Sequence, residues 1–156
     1  MSSDSIKKNK KIGVICSPGG HFSQALQVLE AFESHFTFFL TYREKATLNR
    51  QNTYYVKNIG KSPIALIVGA IKIFFILWKE RPDILFSTGS EIAVPCFYFG
   101  KFLFHTELIY LESGAQVYHP SMTGKWVYPI TDLFLVQWEH LLKRYGSKAK
   151  YVGGLI

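Results

Sequence analysis

The stretch "SPGGH", Ser17 to His21, directly follows the apolar run "IGVIC" and combines residues that bind anions with one that moves protons. Gly19 and Gly20 let backbone N–H groups at a helix start approach a phosphate or pyrophosphate, with the Ser17 hydroxyl beside them. His21 carries an imidazole, which titrates near neutral pH and suits the removal of a proton from an attacking hydroxyl. Two other segments have a similar make-up. "TGSE" offers Thr88, Gly89, Ser90 and Glu91, and "ESGAQ" offers Glu112 and Ser113. Glu112 is thus a second candidate base, an orienting partner for His21 or a ligand for hydroxyl groups. Trp138, in "VQWEH", has a ring that can stack on a sugar face, pack at an interdomain cleft or pack in the core. Lys125 lies in "HPSMTGKWVYP", which reads as a loop and short helix able to close over a ligand and bring a cation to a phosphate. No Asp-x-Asp pair occurs, and the histidines at 21, 35, 105, 119 and 140 lack metal-site spacing, so no metal ligand is assigned.

These residues need elements to hold them. Apolar runs of strand length recur at 12–16, 36–40, 53–56, 83–87, 107–111 and 132–136, with a last strand-like piece in "KYVGGLI". Helix-length segments lie between them, notably 21–33 and 63–80, and no hairpin dipeptide joins neighbouring runs. The alternation predicts an α/β fold, a Rossmann-like open parallel sheet with helices on both faces. Ligands of such sheets bind beyond the carboxyl ends of the strands, where the loops after 16, 87 and 111 then meet. Asp83 and Asp132 begin their strands and belong to the opposite edge, with structural roles.

A chain of 156 residues forms one domain with a sizeable core. Residues 1–10 read as a basic tail and 11–156 as the domain. The net charge of +7 favours anionic partners; a nucleic acid is suggested by charge alone, without a basic helix or an RNP-like motif. Cys16 and Cys96 sit within apolar runs and read as buried thiols of a reducing compartment. The N-terminal region lacks the apolar stretch of a signal peptide, and a cytoplasmic location is expected.

The most apolar stretch, "IALIVGAIKIFFILW" at 64–78, is shorter than the ~20 residues needed to cross a bilayer, yet it is apolar nearly all round. It is expected to lie in a membrane interface through Phe74, Phe75 and Trp78, with Lys72 reaching anionic headgroups. The competing expectation is burial between the sheet and a partner.

Taken together, "GGH", "RPDILFSTGSEIAVP", "IYLESGAQV", "GKWVYPITDLFLVQWEHL" and "YVGGLI" resemble the PssD-type polysaccharide biosynthesis proteins of bacterial capsule and exopolysaccharide clusters. Those are similar to the membrane-anchoring subunit of the split eukaryotic enzyme that adds the second N-acetylglucosamine to dolichol-linked oligosaccharide. The resemblance runs from about Lys11 to the last residue. It implies the acceptor-side half of a GT-B glycosyltransferase, inactive alone and with no tightly bound cofactor. A small catalytic partner subunit would hold the nucleotide sugar, a UDP-sugar, and the acceptor would be a sugar on a polyprenyl diphosphate at the inner face of the cell membrane. Gly153, Gly154, Leu155 and Ile156 are the expected docking point for that partner. Glu91 departs from the family pattern, which often has an uncharged residue there, and the transmembrane helix of the eukaryotic relatives has no counterpart here, so attachment would be peripheral. Two other readings stand beside this one. One is a non-catalytic membrane scaffold for the donor-binding subunit. The other is a dinucleotide-binding Rossmann protein, with Glu44 about 20 residues beyond the glycines but without G-x-G-x-x-G.

Overall fold

The computed structural model describes residues 9–47, 50–151 and 153–155. The strand-like runs pair into one sheet of seven strands: β1 (Lys11–Ile15), β2 (Phe36–Tyr42), β3 (Thr53–Val56), β4 (Ile84–Ser87), β5 (Glu107–Leu111), β6 (Leu133–Val136) and β7 (Ala149–Tyr151). All pairings are parallel, in the order β3-β2-β1-β4-β5-β6-β7. The connections carry α1 (Gly20–Val28), α2 (Pro63–Glu80), α3 (Ala93–Leu103), α4 (Met122–Val127) and α5 (Leu142–Tyr145). The helix expected over 21–33 is shorter: α1 stops at Val28, and a 3-10 turn continues to Phe32.

Helices flank both faces of the sheet, but unequally. Phe38, Leu40, Leu85, Leu108, Tyr110 and Phe134 point to one face, against α2, α3, α4 and α5. Ile12, Val14, Phe39, Ile84 and Phe86 point to the other, which α1 and its 3-10 turn cover. On β5 and β6 that second face carries buried Leu111 and half-buried Ile109 and Leu135, and Leu155 packs against the same cluster.

Local chemistry fixes the long helix. Ser62 caps α2, its Oγ accepting from the Ala65 N–H at 3.1 Å, and Pro63 occupies the first turn, where its missing N–H costs nothing. Arg81 ends it in the left-handed region at φ 47°, followed by Pro82, which cannot continue a helix. No described helix is long and apolar enough to cross a membrane.

Asp83 and Asp132 tie neighbouring strands at the amino edge. Asp83 accepts from the Lys11 N–H and Asp132 from the Leu108 N–H, both at 2.8 Å. Residues 1–8 of the expected basic tail lie outside the described residues. Lys11 opens β1, and Lys10 bonds through its carbonyl to the Phe36 N–H and through its ammonium to Glu107, because strand pairing extends that far.

Candidate active site at the carboxyl edge

The strand order reverses direction between β1 and β4, and the crevice beyond their carboxyl ends is where such sheets bind ligands. The loop Ser17–Gly19 and the loop Thr88–Glu91 meet across it. Gly19 has φ 89°, which requires glycine, and caps α1 without a side-chain bond. A Cβ built on Gly19 or Gly20 would meet nothing within 4 Å, so the space before these peptides is open. The first N–H groups of α1 lack helical acceptors and face this edge.

His21 is held by Thr88 through two bonds. The imidazole Nδ1 lies 2.8 Å from the Thr88 carbonyl oxygen, and the Thr88 hydroxyl donates to the His21 carbonyl at 2.7 Å. A carbonyl only accepts, so Nδ1 carries the proton in this bond, and Nε2 keeps its lone pair in the neutral ring. Nε2 has no partner among the described residues. Gly89, at φ 118°, lies so close that a Cβ there would come within 2.6 Å of the His21 ring. Ser90 follows at φ 104°, a strained value for a non-glycine residue, and its hydroxyl donates to Glu91 at 3.1 Å. Glu91 also accepts from Tyr42 at 2.7 Å. Burial first, and then this carboxylate, push the Tyr42 phenol well above its ordinary range.

Glu112 makes no bond to His21: the Thr88 carbonyl faces the ring's Nδ1, and both Glu112 oxygens are engaged elsewhere. Its side chain is 0% exposed. One carboxylate oxygen accepts from the Ser113 N–H at 2.9 Å, and the other from the Ser121 N–H at 3.1 Å, the Ser121 hydroxyl at 3.0 Å and the Tyr145 hydroxyl. These donors make Glu112 the anchor of the loop 113–121 and of α4, leaving no oxygen turned to the crevice. Burial and this carboxylate raise the phenols of Tyr110 and Tyr145 beyond their usual range. Ser113 is buried beside it, its hydroxyl accepting from the Ala115 N–H at 3.3 Å.

Trp138 donates its indole N–H to the Gly114 carbonyl at 2.8 Å and keeps 36% of its surface exposed. Lys125 lies exposed on α4 and Ser17 half-buried before α1. A glutamine pair joins these loops. Gln137 donates to Gln24 and to the Glu112 carbonyl, both at 3.0 Å, and accepts from the Leu155 N–H at 2.9 Å, while Gln24 also takes the Gly114 N–H. Sequence reasoning missed Gln24, Ser121 and Tyr145, since nothing local to them signals contact with residues far along the chain. Of the expected docking residues, Gly153 and Leu155 are half-buried, Gly154 is exposed, and Ile156 lies outside the described residues. Among the described residues, no three His, Cys, Asp or Glu side chains converge as a metal site.

On α2, Phe74 turns inward. It packs against Phe99, Phe104 and Trp78, which corrects the expectation that it faces lipid. The outward stripe is Ile64, Ile67, Val68, Ile71, Phe75 and Trp78, spaced at the helical repeat, with Ile64 75% and Phe75 63% exposed and Lys72 exposed beside it.

The Rossmann-like sheet with these loops at its switch point is the fold of the N-terminal half of a GT-B glycosyltransferase. Acinetobacter baumannii MurG superposes with a TM-score of 0.75 and 15% identity, covering 94% of this chain and 46% of that one, so the chain spans about half the solved structure it matches. Residues 56–155 match the family described as "Oligosaccharide biosynthesis protein Alg14 like", and the chain belongs to that family. Its relatives include the UDP-N-acetylglucosamine transferase subunit ALG14 of Candida albicans, 29% identical over 97% of this chain and 84% of the yeast protein. The human protein of the same name is 22% identical over 96% and 85%.

Proposed function

We propose that this chain is the acceptor-side accessory subunit of a two-component glycosyltransferase that moves a sugar from a nucleotide sugar to a saccharide on a polyprenyl diphosphate. The observation that carries the reading is the His21–Thr88 clamp, which leaves Nε2 as a proton acceptor at the switch point of a glycosyltransferase half-fold. In the reaction, an acceptor hydroxyl attacks the anomeric carbon of the donor while His21 takes its proton. The bond to the nucleoside diphosphate breaks, and that group leaves with the partner subunit. Gly19 and Gly20 offer N–H groups to the acceptor phosphates, Thr88, Gly89 and Ser90 line the crevice, and Trp138 and Lys125 supply a stacking face and a cation at its rim. Glu112 and Ser113 are positioning residues that hold the loop beside it.

The names of the relatives support UDP-N-acetylglucosamine as the donor, held by the partner. The capsule or exopolysaccharide setting rests on the motif resemblance alone. Partner docking is assigned to the segment Gly153–Ile156, of which Leu155 packs beside half-buried Ile109 and Leu135. The α2 stripe, with Lys72, is assigned to the anionic inner surface of the membrane. Its presence also favours the scaffold reading, in which no reacting group comes from this chain. Glu44 lies two residues beyond β2, but the family match favours transfer over dinucleotide binding.

The test is sugar transfer to a lipid-diphosphate acceptor by this chain, by a donor-binding subunit and by the mixture, across a panel of UDP-sugars. Transfer by the mixture alone supports the division of labour and names the donor. Transfer by either chain alone at full rate overturns it. Full turnover with His21→Gln in an intact complex would leave the scaffold reading.

A further inference from the structure

An apolar groove leads away from the candidate site. Ile59 and Gly60, in the turn before α2, with Pro63 and Leu66 of α2 form one side. Val94 and Pro95 of α3 and Trp126 of α4 form the other. Its volume is about 580 Å³, within the range of small-ligand clefts. Two features limit what can fill it. The polar side chains at its border are already engaged, Ser62 in capping α2 and Glu91 by Tyr42 and Ser90. A peptide lying there would leave its N–H and C=O groups without partners, a cost that a hydrocarbon chain does not carry.

The groove also joins two different surfaces. At Gly60 and Glu91 it meets the loop that carries Gly89 and the His21 clamp. At Pro63 and Leu66 it opens, one step around the helix, onto Ile64 and Ile67 at the start of the exposed stripe. Across the start of α2, a cavity of about 440 Å³ that Ala65 lines carries two cations, Arg43 and Lys57, against one carboxylate, Glu44. The N-terminus of α3 adds partial positive charge at the polar end. The fitting occupant is linear, apolar along its length and anionic at its head.

We propose that this groove holds the first isoprene units of the lipid-diphosphate acceptor, guiding the chain from the membrane-facing stripe to the site. The proposal rests on the acceptor-side reading above. The groove sets chain specificity independently of any bilayer, since it grips the prenyl chain itself.

The test uses the complete two-subunit complex in detergent. Transfer is compared between two acceptors with the same sugar diphosphate, one on a polyprenyl chain and one on a butyl group. The expected preference for the prenyl acceptor in kcat/KM is about tenfold or more, and it collapses toward unity in Val94→Trp, which fills the groove, and in Leu66→Ser, which makes its exposed wall polar. A diazirine-bearing prenyl diphosphate should crosslink to Leu66, Val94 or Trp126 in the unaltered complex, a readout that does not depend on whether the variants fold. An unchanged preference in both variants, crosslinks confined to Ile67, Ile71 and Phe75, or equal labelling of the groove by a diazirine phospholipid would overturn the groove assignment while transfer persists. Absence of transfer to any lipid diphosphate would instead overturn the acceptor-side reading, and the groove assignment with it.

Discussion

His21 and Thr88 exchange two hydrogen bonds across the switch point of the sheet, imidazole to carbonyl at 2.8 Å and hydroxyl to carbonyl at 2.7 Å. The first fixes the tautomer and the second fixes the start of α1 against the end of β4. A ring held in this way delivers Nε2 to one position without reorganisation. Replacing His21 by Gln keeps a polar side chain and removes the base. Turnover of the assembled complex is expected to fall about 100- to 10,000-fold. Complex formation, followed by size-exclusion chromatography, should be unchanged.

Gly89 tests the same ring from the other side. An alanine there would have to adopt φ 118° and would drive its Cβ to within 2.6 Å of the imidazole. The strain is expected to cost about 1–3 kcal/mol of stability in a urea titration, and the displaced ring should lower kcat more than it raises KM. An unaltered kcat would show that the position of His21 does not matter to the reaction.

The sequence made the sheet legible because parallel strands buried on both faces appear as short, continuous apolar runs: of six such runs, 53–56 and 107–111 coincide with β3 and β5, and the other four match β1, β2, β4 and β6 to within two residues. The meeting of the glycine, "TGSE" and "ESGAQ" loops followed from the strand-end rule. The Glu112 cluster was hidden, because Ser121 and Tyr145 reach it through tertiary packing 9 and 33 residues away in sequence. A carboxylate at a strand end gives the same local signal whether it faces ligand or core. Phe74 was misread for a related reason: a helix apolar on every side does not reveal which side α3 covers.

The Glu112 cluster therefore predicts a stability phenotype. Glu112→Gln keeps the shape but loses the charge that the Ser121 and Tyr145 donors require, and about 1–3 kcal/mol should be lost on urea unfolding. Tyr145→Phe should cost about 1 kcal/mol, and the double variant should cost less than the sum, because both changes break one network. Lost turnover in Glu112→Gln without loss of stability would return the residue to the role of base.

Acid should weaken the amino edge of the sheet. Burial acts to raise the pKa of Glu80, but the Tyr54 hydroxyl and Lys11 outweigh it and hold the carboxyl below its usual 4.5. For Asp132 burial also acts upward, and Lys101, the Leu108 N–H and Lys148 bring it below 3.8. Both pKa values are lower folded than unfolded, so the stabilisation is complete above about 4.5 and disappears as pH falls through the folded values. The urea midpoint should hold steady down to about pH 5 and then decline, and Glu80→Gln with Asp132→Asn should flatten that decline.

Neighbouring phenylalanines on α2 separate membrane contact from folding. Phe75 is 63% exposed in the outward stripe, whereas Phe74 packs edge-on to Phe99 and against Phe104. Phe75→Ser removes apolar surface from the outside only, so co-flotation with anionic liposomes should weaken while Tm stays within a degree or so of the parent. Phe74→Ser opens a hole between α2 and α3 and should cost about 2–3 kcal/mol of stability. Salt should weaken liposome binding of the parent in part, because the Lys72 contribution is screened and the apolar contribution is not. Equal flotation of the parent and Phe75→Ser would remove the membrane role from this stripe and leave it to a protein partner.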